Sequence, residues 1–311
     1  MAFFSVIIPL YNKADYIENT LKSVISQTFT DYEIIVINDG STDKSETLVL
    51  GFNDERINIY NQKNQGVSVA RNFGIQKSQG KLIAFLDADD FWFPNHLEEL
   101  ANLYHDFPDC GMYCSRYKIR TTENHFQIPH YKEIKSSFRG IVENYFFSNR
   151  PFRITWTSCL AIPKEILEKF EGFTPNITNG QDFELWTKIG IEYQVAITNT
   201  ITAIYNFYIP DSLAKNNISS MKLMDFEQFI ISEQQNPDLK AFLDIHRFFY
   251  AILYKTYGDS NIANKFYYGI NKKNIGLINR LLFHLPKKML QKLYKIKHLL
   301  KKKSLEFSTY N

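Results

Sequence analysis

Leu86-Asp87-Ala88-Asp89-Asp90 sets two carboxylates two residues apart, with a third adjoining, directly after an apolar run. That spacing suits a divalent cation. Mg2+ or Mn2+ held by one or two carboxylates plus phosphate oxygens stabilises, as a Lewis acid, the charge developing on a departing diphosphate such as that of a sugar nucleotide. Taken alone, Asp-x-Asp fits a turn with a helix cap equally well, since Asp90 precedes an aromatic-rich helix start at Pro94. A second carboxylate stretch, Asn38-Asp39-Gly40-Ser41-Thr42-Asp43, also follows an apolar run, and its Asn-Asp-Gly tripeptide fits a tight turn. In Asn179-Gly-Gln-Asp182-Phe-Glu-Leu-Trp186 the carboxylate of Asp182 stands at a helix start, where the helix dipole favours it whatever its chemistry, and Trp186 can simply pack.

The elements that must position these groups read from the alternation of apolar runs and amphipathic stretches. Phe3 to Ile8, Glu33 to Ile37, Ile57 to Tyr60 and Lys81 to Leu86 read as buried strands; Asp15 to Ser26, Lys44 to Gly51, Val67 to Lys77 and Asn95 to His105 read as helices. A β-α-β-α order implies a parallel sheet covered on both faces, an open doubly wound α/β half. Ligands of such sheets sit beyond the carboxyl ends of the strands, where Pro9-Leu10-Tyr11-Asn12, Asn38 to Asp43 and Asp87 to Asp90 fall. From Cys110 to about Tyr208 the pattern is mixed, with strand-like stretches at Ile154 to Ile162 and Thr200 to Tyr208 and a helix at Gln181 to Ile191. Residues 211–311 read as helical, so boundaries are expected near 115 and 210.

Four segments occur in order: Ser5-Val-Ile-Ile-Pro-Leu-Tyr-Asn12, Val36-Ile-Asn-Asp-Gly-Ser-Thr-Asp43, Gly66-Val-Ser-Val-Ala-Arg-Asn72 and Phe85-Leu-Asp-Ala-Asp-Asp90. Together they resemble glycosyltransferase family 2, strongly over about the first 115 residues, moderately over 150–210 and hardly in the last hundred. The resemblance implies a GT-A fold, a Rossmann-like α/β mixed sheet flanked by helices, here with a C-terminal helical extension. Residues 1–115 would be the nucleotide-sugar-binding half, 116–210 the acceptor-binding and catalytic half of the same domain, and 211–311 a helical region with a basic amphipathic tail.

By the same resemblance, the Pro9 to Tyr11 turn and Asp39 receive the nucleotide base, Arg71 serves the nucleotide side, Asp87 holds the ribose and Asp89 the metal, Mn2+ or Mg2+. Asp182 is then the general base: it takes the proton from the acceptor hydroxyl as that oxygen attacks the anomeric carbon opposite the leaving diphosphate, which inverts the centre. Physically, a strand-end carboxylate can accept a uracil imide N–H and backbone around Pro9 can meet a base edge. Arg71 suits phosphate or base, or a helix-surface salt bridge. Gln181 stands where relatives carry Glu, which removes a charge that would raise the pKa of the base; Glu184 is a substitute base. Phe152-Arg-Ile-Thr-Trp-Thr-Ser158 occupies the acceptor position, where Trp156 can stack on a sugar ring, with Trp186 a second acceptor-side candidate; most aromatic residues must nevertheless be core. Ile204 to Ser212 lies where relatives show Tyr-Arg, with Asn206 in the Arg place.

The implied donor is a nucleotide sugar, UDP-linked by resemblance, and the implied acceptor a glycan or lipid-linked saccharide in surface polysaccharide synthesis. Gln-x-x-Arg-Trp, the mark of processive relatives, is absent, because none of Trp92, Trp156 and Trp186 follows an arginine; single transfer is expected. The alternatives are a sugar-1-phosphate nucleotidyltransferase, which would need a glycine-rich loop where Pro9 to Tyr16 has no glycine, and a non-catalytic membrane-associated scaffold of the same fold. No two glycines are two apart, against a dinucleotide fingerprint, and Gly74 to Leu82 misses the P-loop spacing by one residue.

The 3 cysteines, Cys110, Cys114 and Cys159, suggest neither a disulfide framework nor a zinc site, and no basic residue precedes the short N-terminal apolar run. A cytoplasmic protein is expected. The net charge of +3 is uneven: residues 271–311 hold eleven Lys or Arg against Glu306, which is +10 and leaves −7 for the rest. Leu277, Leu281, Leu285, Met289, Leu293, Ile296 and Leu300 form a helical stripe broken by Pro286 and interspersed with Lys287, Lys288, Lys292 and Lys295. Through residues 272–303 such a stripe can lie on the anionic inner face of a membrane, or pack on the body with its lysines solvated. No nucleic-acid-binding module accompanies the lysines.

Overall fold

A computed structural model describes residues 2–150, 152–209 and 221–302, with side chains described to residue 296. Pro210 to Ser212, the expected boundary near 210, Leu300's side chain and Lys303 therefore lie outside the described residues.

The first half follows the alternation of the sequence. Strand β1 (Phe4–Leu10) leads to helix α1 (Ile17–Ile25), β2 (Tyr32–Asn38), α2 (Ser45–Leu50), β3 (Ile57–Asn61), α3 (Val67–Lys77), β4 (Leu82–Phe85), the short β5 (Phe91–Trp92) and α4 (His96–Asp106). β3, β2, β1 and β4 lie side by side and parallel, with Pro9 opposite Ile37 and Phe4 opposite both Tyr32 and Leu82. Near-continuous apolar runs are what a strand buried on both faces requires, and all of Val6, Ile7, Ile8, Ile34 and Ile83 are buried. Helix α3 packs on β1 and β2. Gly74 makes this possible, because a Cβ there would stand 2.5 Å from the Ile7 side chain.

The second half turns the sheet from parallel to mixed. β6 (Met112–Thr122) is followed by β7 (His125–Gln127), β8 (Gly140–Ile141), α5 (Tyr145–Ser148), β9 (Leu160–Pro163), α6 (Lys164–Lys169), α7 (Gln181–Glu192) and β10 (Val195–Tyr205). The sheet continues from β4 through β9, β6 and β10 to β5, with β7 paired to β6 and β8 to β10. β9 is antiparallel to β4 and β6, while β10 is parallel to β6 and antiparallel to β5. The stretch Ile154 to Ile162, strand-like in sequence, is mostly not strand: Thr157–Cys159 is a 3-10 turn and only Leu160 onward joins the sheet. β10 begins at Val195, five residues before the expected Thr200.

Helices α8 (Ile230–Gln235), α9 (Pro237–Tyr257), α10 (Ser260–Tyr268), α11 (Leu277–His284) and α12 (Lys287–Lys302) complete the described chain. Asn236 caps α9 by accepting from the N–H groups of Asp238 and Leu239, with Pro237 at the first position, where its missing N–H costs nothing. Pro286 separates α11 from α12 as the sequence implies. The expected apolar stripe, however, faces outward: Leu277, Leu281, Met289, Leu293 and Ile296 are exposed, while Phe283 and Leu290 from another face pack inward. No described helix is long and apolar enough to cross a membrane.

Candidate active site

Two loops at the carboxyl ends of β1 and β2 are laced together. Asn12 Oδ1 accepts from the N–H of Thr42 (2.8 Å), and Asn12 N–H donates to Ser41 Oγ (3.1 Å). Asp43, one of the strand-end carboxylates, accepts from the N–H groups of Ala14 (3.0 Å) and Ser45 (2.9 Å). Burial pushes its carboxyl up, but these bonds outweigh burial and hold it below the usual range. Asp43 is thus a tie between loops. Pro9 is half-buried and Tyr11 is exposed beside them.

Asp39 is buried and accepts three hydrogen bonds: Oδ1 from Gln62 Nε2 (2.7 Å) and Gln65 N–H (2.8 Å), Oδ2 from Gly66 N–H (2.9 Å). It anchors the loop leading into α3 and keeps one lone pair, on Oδ2, for a further donor. Gly66, with φ 89°, makes the turn that aims its N–H at that carboxylate.

After β4 the three aspartates separate by environment. Asp87 accepts from Arg71 Nη2 at 2.6 Å; its side chain is 32% exposed whereas that of Arg71 is 4% exposed. Arg71 is therefore no surface salt bridge. Its guanidinium lies over the Phe173 ring, and its Nε and Nη1 have no partner among the described residues. Asp89 pairs with Lys13 Nζ at 2.6 Å. Burial, offset by Lys13 and reinforced by Asp87, leaves its carboxyl above the ordinary value. Asp90 is buried, accepting from Ser158 Oγ (2.6 Å) and Asn206 N–H (2.9 Å); burial, then Asp89 and Asp87, push it well up. Asn206 also donates through Nδ2 to the Asp89 carbonyl (2.5 Å). Asn206, from the residue after β10, thus ties down the Asp89–Asp90 loop through both bonds.

Asp182 is the second residue of α7, which starts after Gly180 in a left-handed conformation (φ 85°). Its Oδ1 accepts from Phe183 N–H (2.8 Å), and Oδ2 faces Arg153 Nη1 (3.2 Å) and Thr157 Oγ1 (3.4 Å). Burial raises its pKa, but Arg153, then Arg71, the Phe183 N–H and Thr157 together carry it below the ordinary value. The 3-10 turn is the bridge between the two carboxylate sites. Thr157 touches Asp182, while its neighbour Ser158 bonds Asp90 and accepts from the Asp87 N–H (3.2 Å). The Asp87 to Asp90 loop and Asp182 thus meet at one 3-10 turn, and Arg71, paired with Asp87, also acts on the charge of Asp182.

Beside Asp182 lies a cavity of about 190 Å3 lined by Tyr117, Arg150, Phe152, Arg153, Trp156 and His246 among others. Trp156 belongs to an aromatic cluster, 4.1 Å from Tyr205 and 6.0 Å from Tyr117 between ring centres. Trp186 is elsewhere: 1% exposed and packed against Phe85 and Phe173, it presents no face to a sugar, and the packing reading is the one that holds. Glu184 is buried and engaged by Lys188 and Gln228, so it is no free substitute base. His246 stacks on Phe183 at 3.8 Å and uses Nδ1 on the Phe242 carbonyl; burial holds its imidazolium down to about 3, so the ring is neutral. Lys13, Arg150 and His246 are not singled out by sequence. Lys13 directly follows the Pro9 to Asn12 turn, and Arg150 stands two residues before the Phe152 to Ser158 segment, which are usable signals; His246 comes from α9, beyond the four ordered motifs.

No cluster of three His, Cys, Asp or Glu side chains able to cage a cation occurs among the described residues. Asp89 with Asp87 beside it is the donor set that Mg2+ or Mn2+ uses when diphosphate oxygens and water complete the shell. The Asp89 carboxylate, moreover, already holds a cation, the Lys13 ammonium.

Known structures share this architecture. Residues 1–349 of S. aureus TarS in complex with UDP-GlcNAc superpose with a TM-score of 0.60 at 16% identity, covering 90% of this chain and 78% of that fragment. The mannosyltransferase PcManGT from Pyrobaculum calidifontis, in complex with GDP-Man and Mn2+, gives 0.57 at 15% identity, covering 97% and 83%. The fold is GT-A, as the motifs imply. In sequence, an uncharacterized glycosyltransferase of Rickettsia bellii is 38% identical over 188 residues, 60% of this chain and 26% of that protein. Matches to two further rickettsial glycosyltransferases span 57% and 64% of their lengths. Residues 5–170, more than half of the chain, match the glycosyl transferase family 2 profile, and the chain belongs to that family.

Proposed function

We propose that this glycosyltransferase moves a single sugar, with inversion, from a nucleotide-diphospho-sugar, a UDP-sugar first among the candidates, to a glycan or lipid-linked saccharide acceptor. The observation that carries the reading is the convergence of Asp182 with the Asp87 to Asp90 loop through the adjacent Thr157 and Ser158.

In this reading residues 1–115 take the donor and 116–210 the acceptor, with 211–311 appended. The free lone pair of Asp39 accepts the base N–H beside Pro9 and Tyr11. Asp87, pinned by Arg71, presents its exposed oxygen to the ribose. Asp89 holds a divalent cation, which supplies Lewis-acid stabilisation of the departing diphosphate. Asp182 removes the proton of the acceptor hydroxyl on the opposite side of the anomeric carbon. Its carboxyl, held down by Arg153 and Arg71, is ionised at neutral pH. The outward apolar and lysine face of α11 and α12 supports a peripheral position on an anionic membrane from the cytoplasmic side.

The test is nucleotide release from UDP-Glc, UDP-Gal, UDP-GlcNAc, UDP-GalNAc and GDP-Man, with and without Mn2+. Asp89→Asn is expected to lose the Mn2+-dependent part of donor binding while keeping the fold. Donor binding by Asp89→Asn that still responds to Mn2+ like wild type removes Asp89 as the metal residue. Release at the buffer rate with every donor and acceptor mixture removes the enzymatic reading.

A further inference from the structure

Asp89 is the proposed anchor of a divalent cation, yet its Oδ2 is held at 2.6 Å by the Lys13 ammonium. Mg2+ bonds a carboxylate oxygen at about 2.1 Å. Seating a divalent ion on Asp89 while Lys13 stays puts two cations against one carboxylate, where the two side chains are only 19% and 16% exposed and repulsion is screened far less than in water. Lys13 and the metal therefore compete for Asp89.

The neighbouring carboxylate is balanced in a different way. Asp87 pairs with Arg71 at 2.6 Å, and the Arg71 side chain is 4% exposed with its guanidinium over the Phe173 ring. That cation is fixed by its burial. Lys13 carries its charge as a compact ammonium on a flexible four-carbon stem, so it is the one of the two that can move aside.

The backbone of Lys13 cannot follow. Its N–H donates to Ser45 Oγ (2.8 Å), and its carbonyl accepts from the N–H groups of Tyr16 (3.0 Å) and Ile17 (2.9 Å). Asn12 before it stands in the left-handed region (φ 49°), uncommon for a residue other than glycine, and is tied to Ser41 and Thr42 of the adjoining loop. A displaced ammonium thus stays within one side chain's reach of Asp89 and opposes the incoming cation unless anionic groups arrive with it. A nucleoside diphosphate supplies them, because its phosphate oxygens ligate a divalent cation and accept from an ammonium at the same time.

We infer that Lys13 makes the cation position at Asp89 conditional on the nucleotide: the divalent cation enters together with a nucleoside diphosphate and is turned away without one. The inference rests on the reading of Asp89 as the metal residue and adds the order in which the site fills. By linkage, the factor that the nucleotide adds to cation affinity is the factor that the cation adds to nucleotide affinity.

Mn2+ uptake by the full-length protein, read from the loss of the free-ion signal in electron paramagnetic resonance, tests this without turnover. Wild type is expected to bind Mn2+ weakly by itself and at least about tenfold more tightly with saturating UDP. Lys13→Gln, which drops the charge and keeps a polar chain, is expected to raise the nucleotide-free affinity about tenfold or more and to shrink the effect of UDP. Lys13→Met is the second neutral variant, and Lys13→Arg, which keeps the charge, is expected to behave like wild type. Thermal melts report the folding of each; a loop merely loosened by substitution does not gain affinity for the cation. An unchanged nucleotide-free affinity in both neutral variants, with uptake still promoted by UDP, overturns the gate and leaves the metal reading standing. Tight uptake by wild type that UDP does not alter overturns it too. Uptake by Lys13→Gln that survives the addition of Asp89→Asn, or the lack of UDP-promoted uptake in every form, sinks the reading of Asp89 as the metal residue, and the gate falls with it.

Discussion

Asp182→Asn isolates the chemistry of the proposed base from its architecture. The amide is nearly isosteric; its oxygen still accepts from Phe183 N–H, now 2.8 Å away, and Thr157 remains in reach. What disappears is the charge opposite Arg153 and the capacity to take a proton. The Arg153–Asp182 pair is mostly buried, 23% and 16% exposed, so its loss costs about 1–3 kcal/mol of stability. A positioned general base contributes about 10² to 10⁴ in rate, or roughly 3–5 kcal/mol of barrier. Glu184 cannot take over, since Lys188 lies 3.0 Å from it and Gln228 2.9 Å. Transfer, measured as acceptor-dependent nucleotide release at saturating donor, therefore falls at least about a hundredfold. Donor affinity by calorimetry stays within about twofold, as expected for a site apart from the nucleotide contacts. A turnover number within about tenfold of wild type refutes the assignment of the base; a parallel loss of donor binding refutes the separation of donor and acceptor sides.

Other perturbations probe the supports. Arg153→Gln removes the foremost of the groups that offset burial at Asp182, so the carboxyl protonates more readily and the acid limb of the turnover profile moves to higher pH; a limb that stays in place means Arg153 does not tune the base. Gly80→Ala puts a Cβ 2.4 Å from the backbone N of Ser5 and 2.6 Å from the carbonyl carbon of Phe4, so β1 or its neighbour must shift; denaturant titration is expected to show a loss of about 1–3 kcal/mol, and a loss under about 0.5 kcal/mol contradicts the close approach. Replacing the exposed Lys287, Lys288, Lys292 and Lys295 by Glu leaves thermal stability nearly unchanged but abolishes sedimentation with anionic liposomes; undiminished sedimentation removes the membrane role.

The first half is readable from sequence because β1, β2 and β4 are near-continuous apolar runs ending in polar residues, and the parallel order turns those ends into one edge. The second half is less so, for physical reasons that can be named. Ile154 to Ile162 carries β-branched and aromatic residues, yet Thr157 and Ser158 leave the ladder because their hydroxyls reach Asp182 and Asp90. Val195 to Thr198 is too short a run to register as a strand by itself, although β6 and β8 pair with it on either edge and it is buried. The outward stripe on α11 and α12 has the right period; period alone does not say which face packs, and Phe283 and Leu290 occupy the inward one.

Chemistry in this molecule is divided unevenly between recognisable and private sequence. Residues 5–170, the family match, contain one side of the bridge, Asp87 to Asp90, and the bridge itself, Thr157–Ser158, but not Asp182, which α7 brings from beyond it. Still further on, α9 supplies His246 against Phe183 and Ile245 to the cavity wall, and Asp238 opposite Arg150. Two of the residues around that cavity, Ile245 and His246, thus come from the helical region beyond the family match. If α9 does set acceptor choice, grafting it is a change of substrate without a change of donor, because none of the Asp39, Asp87 or Asp89 contacts described above involves that helix.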